Sequence, residues 1–350
     1  MDYDVVIATK NRPEALRLSI PLILGQEHPP KKLIIVDASD EHQLIRRAVK
    51  KVVGACPVEL VILNSQPNLA RQRNIGLKYV EAPVVMFPDD DSLWFPGYAE
   101  AIMHVYERDA HGDIGGVGGV GVKEMPSESS PIIDKSYNVH KYDRFARQID
   151  RFHNKMEEVI CPNPFVVHGQ KCWSMRLMPD WLGEENAVPV EYIVGYRMSF
   201  RTDAIRKSGF DEDMGYHIGW AVYEDVDACF SVMRDKLCIV AHDAKVYHHK
   251  FPSKRAGGFK LGFFHIFNQV YVISKYAQPG SAACNALKRY ATNKLLQYAF
   301  GICSKFGRQR MRGARLALKY MRELLEAPQG ELRQRYLELC KKAMLLCDHD

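Results

Sequence analysis

Four short apolar runs alternate with four stretches of helical periodicity across residues 4–108. Segments 4–8, 33–36, 58–63 and 84–87 are rich in Val, Ile and Leu and too short for stable helices. After each comes a longer stretch, 13–24, 41–53, 69–80 and 97–108, with apolar residues every three to four positions. Pro13 suits the first turn of its helix. This βαβαβαβα order predicts an α/β fold, a mostly parallel sheet with helices on both faces. Right-handed crossovers then bring all the strand C-termini to one edge, where open α/β sheets take their ligands. Thr9, Asn11, Arg12, Asp37 and the triplet Asp89, Asp90, Asp91 all fall on that edge.

The triplet ends the run Val-Val-Met-Phe-Pro and puts three anions side by side. Solvent relieves their repulsion only partly. A hard divalent cation with oxygen ligands relieves it more completely and leaves room for substrate phosphates. The competing reading is an acidic turn capping the helix that begins near Pro96.

The rest of the chain is organised differently. Residues 110–190 are rich in Gly, Pro, Ser and polar aromatics, with weak periodicity. Within them 116–121 (GVGGVG) formally matches a dinucleotide fingerprint. It leads into VKEMPSESSP, which cannot open a helix, so a glycine-bearing strand approached closely by other backbone is expected instead. Residues 192–202 alternate as a strand, 203–208 suggest a short helix, 220–233 a longer one and 237–241 a strand. From about residue 255 onward the pattern is helical. Tyr-Glu-Asp-Val-Asp at 223–227 places carboxylates at a helix start, where the dipole favours them and where one could also act as a general base. Val-Tyr-His-His at 246–249 closes an apolar segment with a residue type that is either structural or a metal ligand.

Composition narrows the function classes. At 350 residues and 47% apolar, the chain can bury one large core or two smaller ones. The opening MDYDVVIATKNRP lacks the apolar stretch of a signal peptide. No segment reaches the roughly 18 apolar residues of a membrane span. A cytoplasmic chain, peripheral to the inner face of a membrane at most, is expected. Nine scattered cysteines without a CxxC pair then read as reduced thiols. Zinc held by Cys161, His168 and Cys172 fits no standard spacing. The net charge of +6 divides unevenly: residues 250–350 carry 19 Lys or Arg against 6 Asp or Glu, and residues 1–249 carry 29 against 36. Opposite charge implies different jobs.

In order along residues 4–249, VVIATKNRP, LIIVDASD, NLARQRNIGL, VVMFPDDDS, GYRMSFRTDAIRKSGFDED, VYEDVDACFSV and AKVYHH resemble the successive motifs of the family 2 glycosyltransferases, which have the GT-A fold. The resemblance implies a catalytic domain over 1–255, with a nucleotide-sugar half at 1–110 and an acceptor half at 111–255, ahead of a basic helical region at 256–350. It implies that Thr9, Asn11 and Arg12 line the nucleotide pocket and that Asp37 accepts a hydrogen bond from the base. Arg71 and Asn74 would lie near the ribose and diphosphate. Asp89, Asp90 and Asp91 would form the DxD segment, with Asp89, Asp91 and His248 holding Mn²⁺ or Mg²⁺. Asp225 would be the base of an inverting transfer, and Glu224 would orient the acceptor. The implied donor is a nucleotide-diphosphate sugar, UDP-linked by preference, and the implied acceptor a hydroxyl of a glycan or lipid-linked glycan. Three features depart from the family: Asp37 is followed by Ala38 and Ser39 rather than a further acid, Asp91 and Asp225 lie 134 residues apart, and His249 directly follows His248. Trp173 and Trp181 lie in the enlarged interval, as sugar-stacking aromatics or as core and lid packing. Rival readings are a sugar-phosphate nucleotidyltransferase, whose glycine-rich loop TKNRPEA lacks, and a scaffold that has lost activity.

In the basic region Met311, Ala314, Leu318, Met321 and Leu325 recur at helical spacing among Arg308, Arg310, Arg312, Arg315, Lys319 and Arg322. An internally packed bundle and a membrane-surface helix both fit that pattern. Nucleic acid is not expected, because the basic residues have little aromatic interleaving and no binding motif.

Overall fold

The computed structural model describes residues 1–126, 162–176, 178–215, 222–251 and 257–347. Contacts divide the chain into one compact unit of Met1–Ile133 with Cys172–Ser253 and another of Asp134–Lys171 with Lys254–Asp350.

The first unit is built on a nine-stranded sheet. Strands β1 (Tyr3–Thr9), β2 (Lys32–Asp37), β3 (Glu59–Asn64) and β4 (Val84–Pro88) alternate with helices α1 (Pro13–Leu24), α2 (His42–Val53) and α3 (Leu69–Leu77). These four strands are parallel in the order β3-β2-β1-β4. All six residues of β2 are buried, as expected of a central strand covered on both faces, whereas the edge strand β3 is only half-buried. In α2, Ile45, Ala48, Val49 and Val53 face the sheet, and Lys50 and Lys51 lie in the last turn, where the dipole favours cations.

Beyond β4 the sheet becomes mixed. Strand β5 (Ser92–Trp94) follows the triplet, then α4 (Tyr98–Arg108) and β6 (Ile114–Val122). Next come α5 (Pro164–Ser174), only the last three residues of which belong to this unit, then β7 (Ala187–Pro189), β8 (Arg197–Arg201), α6 (Thr202–Arg206), α7 (Glu224–Val232) and β9 (Leu237–His248). Antiparallel β8 lies between β4 and β6, and β9 pairs parallel with β6 and antiparallel with β5. The expected strand over 192–202 is confined to β8. The expected helix over 220–233 is shorter, starting at Glu224 as α7: residues 222–223 are not helical, Tyr223 being left-handed, and 220–221 lie outside the described residues. Strand β9 runs seven residues beyond the 237–241 segment because its far end pairs with β5.

Residues 116–121 do form a strand, and their glycines are needed for space. A Cβ on Gly119 would stand 2.5 Å from the Ala244 carbonyl and 2.5 Å from the Tyr98 ring. One on Gly118 would come within 2.3 Å of Ile193.

In the second unit the described chain from Gly258 to Cys347 is helical: α8 (Gly258–Tyr276), α9 (Ala282–Ala299), α10 (Lys305–Leu325) and α11 (Leu332–Cys347). Helices α8 and α10 approach to backbone contact at glycines. A Cβ on Gly262 would stand 2.0 Å from the Arg310 carbonyl, and one on Gly313 would stand 2.1 Å from that of Phe259.

Candidate active site

The parallel register places Thr9 beside Asp37 at the C-terminal ends of β1 and β2. Gln72 of α3 ties those ends together by donating to the carbonyls of Thr9 (2.9 Å) and Val36 (2.8 Å). The chain leaving β4 then presents Asp89, Asp90 and Asp91 at the same edge. Because β5 pairs antiparallel with β9, Ser92 faces His248. The His249 amide donates to the Asp91 carbonyl at 3.0 Å. This pairing brings His248 to the carboxylates across more than 150 residues of chain.

Asp89, Asp91 and His248 each offer one ligand atom within 4.8 Å of the others, the one such cluster among the described residues. His248 Nε2 is 3.1 Å from Asp91 Oδ1 and 4.0 Å from Asp89 Oδ2. The imidazole stacks on Tyr196 at 4.5 Å, which sets its plane. Burial opposes its charged form, but Asp91 outweighs that and holds the His248 pKa above its ordinary value. Asp91 itself is buried, which would raise its pKa. His248, Arg12 and the Phe251 N–H overcome burial and lower it. Even so, Asp91 Oδ1 has no hydrogen bond of acceptable geometry. A buried carboxylate oxygen with no well-formed hydrogen bond, held against an imidazole and near a second carboxylate, suits a divalent cation such as Mn²⁺ or Mg²⁺. The residues present therefore fit the expected metal.

His249 occupies a different environment. Its ring packs near Tyr247 and Phe251, and burial lowers its pKa. Of the two histidines, His248 is the one that meets the carboxylates.

Asp90 points the other way, into protein. It accepts from Thr9 Oγ1 (2.7 Å) and Arg12 Nη1 (2.8 Å). Burial first, then the charge of Asp91, pushes its pKa up to about 7. Arg12 also reaches Asp91 at 3.4 Å and donates to the Phe251 carbonyl at 3.0 Å. Its guanidinium thus offsets part of the triplet's charge and ties it to the segment that follows β9.

A second buried cation was absent from the sequence expectations. Arg73, 2% exposed, donates to Glu224 Oε1 (2.7 Å) and to Asp89 Oδ1 (3.1 Å) and lies 5.4 Å from the Phe210 ring centre. It joins the Glu-Asp pair at the start of α7 to the Asp triplet. Arg71 and Asn74, expected near the donor, bond to Glu212: Arg71 Nε at 2.9 Å and Asn74 Nδ2 at 3.0 Å. Asn74 also exchanges hydrogen bonds with the backbone of Phe210. A sequence signal for Arg73 did exist. It shares the inward face of α3 with Ala70 and Leu77, at spacings of three and four, and a cation on an apolar stripe calls for a buried partner.

Glu224 is buried, and its pKa rises to about 7 through desolvation and the charge of Asp225, opposed by Arg73. Asp225 is half-buried and accepts the Gly195 N–H (2.8 Å) and its neighbour Val226 N–H (2.9 Å). Desolvation also raises its pKa. Tyr223, just before the pair, has φ +71°, a left-handed conformation that non-glycine residues adopt at a cost and that recurs at functional sites.

The remaining expected residues lie along the β1–β2 edge. Asp37 is buried and accepts from the Ser39 N–H (2.8 Å), while its other oxygen is 2.7 Å from His42 Nδ1. Asn11, with φ +56°, exchanges hydrogen bonds with Asp40. Trp173 and Trp181 pack against the core of the first unit. Of the Cys161, His168 and Cys172 trio whose spacing fits no standard zinc site, Cys161 lies outside the described residues.

Residues 4–159 match the sequence model of Glycosyl transferase family 2. The uncharacterized glycosyltransferase YwdF of Bacillus subtilis (strain 168) is 30% identical over 100 residues, 29% of this chain and 36% of that protein. The chain thus matches about a third of that relative's length. Among solved structures, the mannosyltransferase PcManGT from Pyrobaculum calidifontis, in complex with GDP-Man and Mn²⁺, superposes with a TM-score of 0.52 at 16% identity. That match covers 98% of this chain and 86% of the other. S. aureus TarS 1–349 in complex with UDP-GlcNAc gives 0.52 at 13% identity, covering 98% and 90%. These likenesses are of fold.

Proposed function

From a chain whose residues 4–159 are a Glycosyl transferase family 2 domain, we propose a metal-dependent, inverting glycosyltransferase that moves a sugar from a nucleotide-diphosphate donor to a hydroxyl of a glycan or lipid-linked glycan. One observation carries this reading: two carboxylate groups of different character meet at one sheet edge. Asp89 and Asp91, with His248, form a ligand set. Glu224 and Asp225 stand apart from it, joined through Arg73.

The roles follow from position. When bound, a divalent cation on Asp89, Asp91 and His248 supplies Lewis-acid neutralisation of the diphosphate. Thr9, Asn11 and Asp37, along the β1–β2 edge, would receive the nucleoside. Asp225, oriented by two backbone N–H groups, takes the proton of the acceptor hydroxyl. The acceptor oxygen bonds to the anomeric carbon while the bond to the diphosphate oxygen breaks, and the electron pair leaves with the nucleoside diphosphate. A single displacement inverts the anomeric centre. Glu224, held by Arg73, orients acceptor hydroxyls. Donors bound by proteins of like fold include both GDP-Man and UDP-GlcNAc. A UDP-sugar is the favoured donor in this reading.

The test is release of nucleoside diphosphate from UDP-, GDP- and dTDP-sugars in the presence of Mn²⁺, with water as acceptor. Release from one base class, lost with EDTA and in Asp91→Ala, is expected. If no donor is turned over and no nucleoside diphosphate binds in a Mn²⁺-dependent way, the reading is wrong.

A further inference from the structure

Helix α10 turns Met311, Ala314, Ala317, Met321 and Leu324 inward, so the apolar stripe that a membrane-surface helix would need is already covered by protein. Its other side is different. Lys305, Arg308, Arg312, Arg315, Lys319 and Arg322 recur at spacings of three and four, and all six are exposed. That spacing aligns them on one arc, over about 25 Å of helix axis at 1.5 Å per residue.

At the N-terminal end of this stripe lies the turn joining α9 to α10. There Phe300 is 88% exposed, Ile302 46% and Phe306 45%, with Leu296 one helical turn earlier at 61%. Stripe and turn adjoin, since Arg308 donates to the carbonyls of Ile302 (3.3 Å) and Cys303 (3.0 Å). No Asp or Glu occurs anywhere from 244 to 322. Among the described residues no helix is long and apolar enough to cross a membrane.

We propose that this surface docks the protein on a bilayer bearing anionic headgroups, with the basic stripe over the headgroups and Phe300 and Ile302 entering the acyl boundary. Large apolar side chains in water beside dense positive charge match that interface on both counts. A nucleic acid would engage the stripe but gain little from the aliphatic and aromatic turn. Two copies meeting through this same face would bring like charge against like. This inference stands independently of the donor reading, because it uses none of the active-site residues.

The experiment is co-sedimentation of the full chain with vesicles, either of phosphatidylcholine alone or of equal parts phosphatidylcholine and phosphatidylglycerol. Binding to the anionic vesicles only, released by salt, is expected. Each exposed cation removed should weaken it about fivefold, so Lys305→Gln/Arg315→Gln/Lys319→Gln should lose about a hundredfold. Phe300→Ser/Ile302→Ser should weaken binding while retaining its salt dependence. All five positions are exposed, and an unchanged melting temperature verifies folding. Equal binding to both vesicles, or full binding by the triple variant, would overturn the proposal. So would capture of RNA without vesicle binding, or a change in oligomeric state in the Phe300/Ile302 variant as its only effect.

Discussion

Arg73 shows how a single side chain can organise a site. Its guanidinium is buried against Glu224 and Asp89, two carboxylates whose pKa values burial raises. Removing it would leave buried charge uncompensated, a loss of about 3–5 kcal/mol in comparable cases. Its two N–H arms make the separation of the metal and base groups a property of one rigid fork. The neighbouring Asp225 carries the sharper functional prediction. Asp225→Asn keeps the shape and can still accept the Gly195 N–H, but cannot take a proton. Transfer to acceptor should fall by about 10²–10⁴-fold while donor affinity stays within a few-fold, since a base acts in the transition state. Acceptor kinetics set beside calorimetric donor binding would decide. Equal loss of both would make Asp225 a structural residue.

At the scale of elements, glycines set how closely backbones approach. Helices α8 and α10 touch through Gly262 and Gly313 with no room for a methyl group. Gly262→Ala must push α10 away or strain it, and overpacking of this kind typically costs about 1–3 kcal/mol. Thermal unfolding should register that loss in the C-terminal unit. Gly330→Ala, where a Cβ meets nothing within 4 Å, should be neutral or slightly stabilising. Similar destabilisation by both substitutions would show that helix contact is not the cause. Strand β6 follows the same rule, and its glycines serve sheet packing rather than phosphate binding.

For the molecule as a whole, the site couples stability to pH. Asp90 and Glu224 have folded pKa values near 7, well above those of an unfolded chain. Folding therefore favours their protonated forms, and the stability this contributes is lost as pH rises from about 4 through 7. His248, also raised, acts in the same direction, since its contribution disappears as pH climbs past its folded pKa. Asp91, which is lowered, opposes this only in acid, whereas His249 and His168, also lowered, oppose it until pH passes their ordinary value. The metal-free protein should melt at lower temperature as pH goes from about 5.5 to 7.5, and Mn²⁺ should restore most of the loss at the upper end. A metal-free melting temperature that is flat or rises over that range would contradict the assignment. Much of this site was legible in the linear chain. The alternation over 4–108 determined the parallel half of the sheet, because period-two and period-3.6 patterns are local properties of a strand or helix. The run of apolar residues ending in three Asp likewise marked the ligand edge. Which charges pair was not local. Arg73 rather than Arg71 turns inward because α3 rotates that face toward α7, and His248 reaches Asp91 because β5 pairs with β9 from far along the chain. The basic helix followed the same logic. Its spacing foretold an amphipathic surface, but only packing against α8 decided that the apolar face is internal and that the exposed side is the basic stripe with its aromatic turn. Periodicity records what each segment can bury, and only the assembled fold selects what buries it.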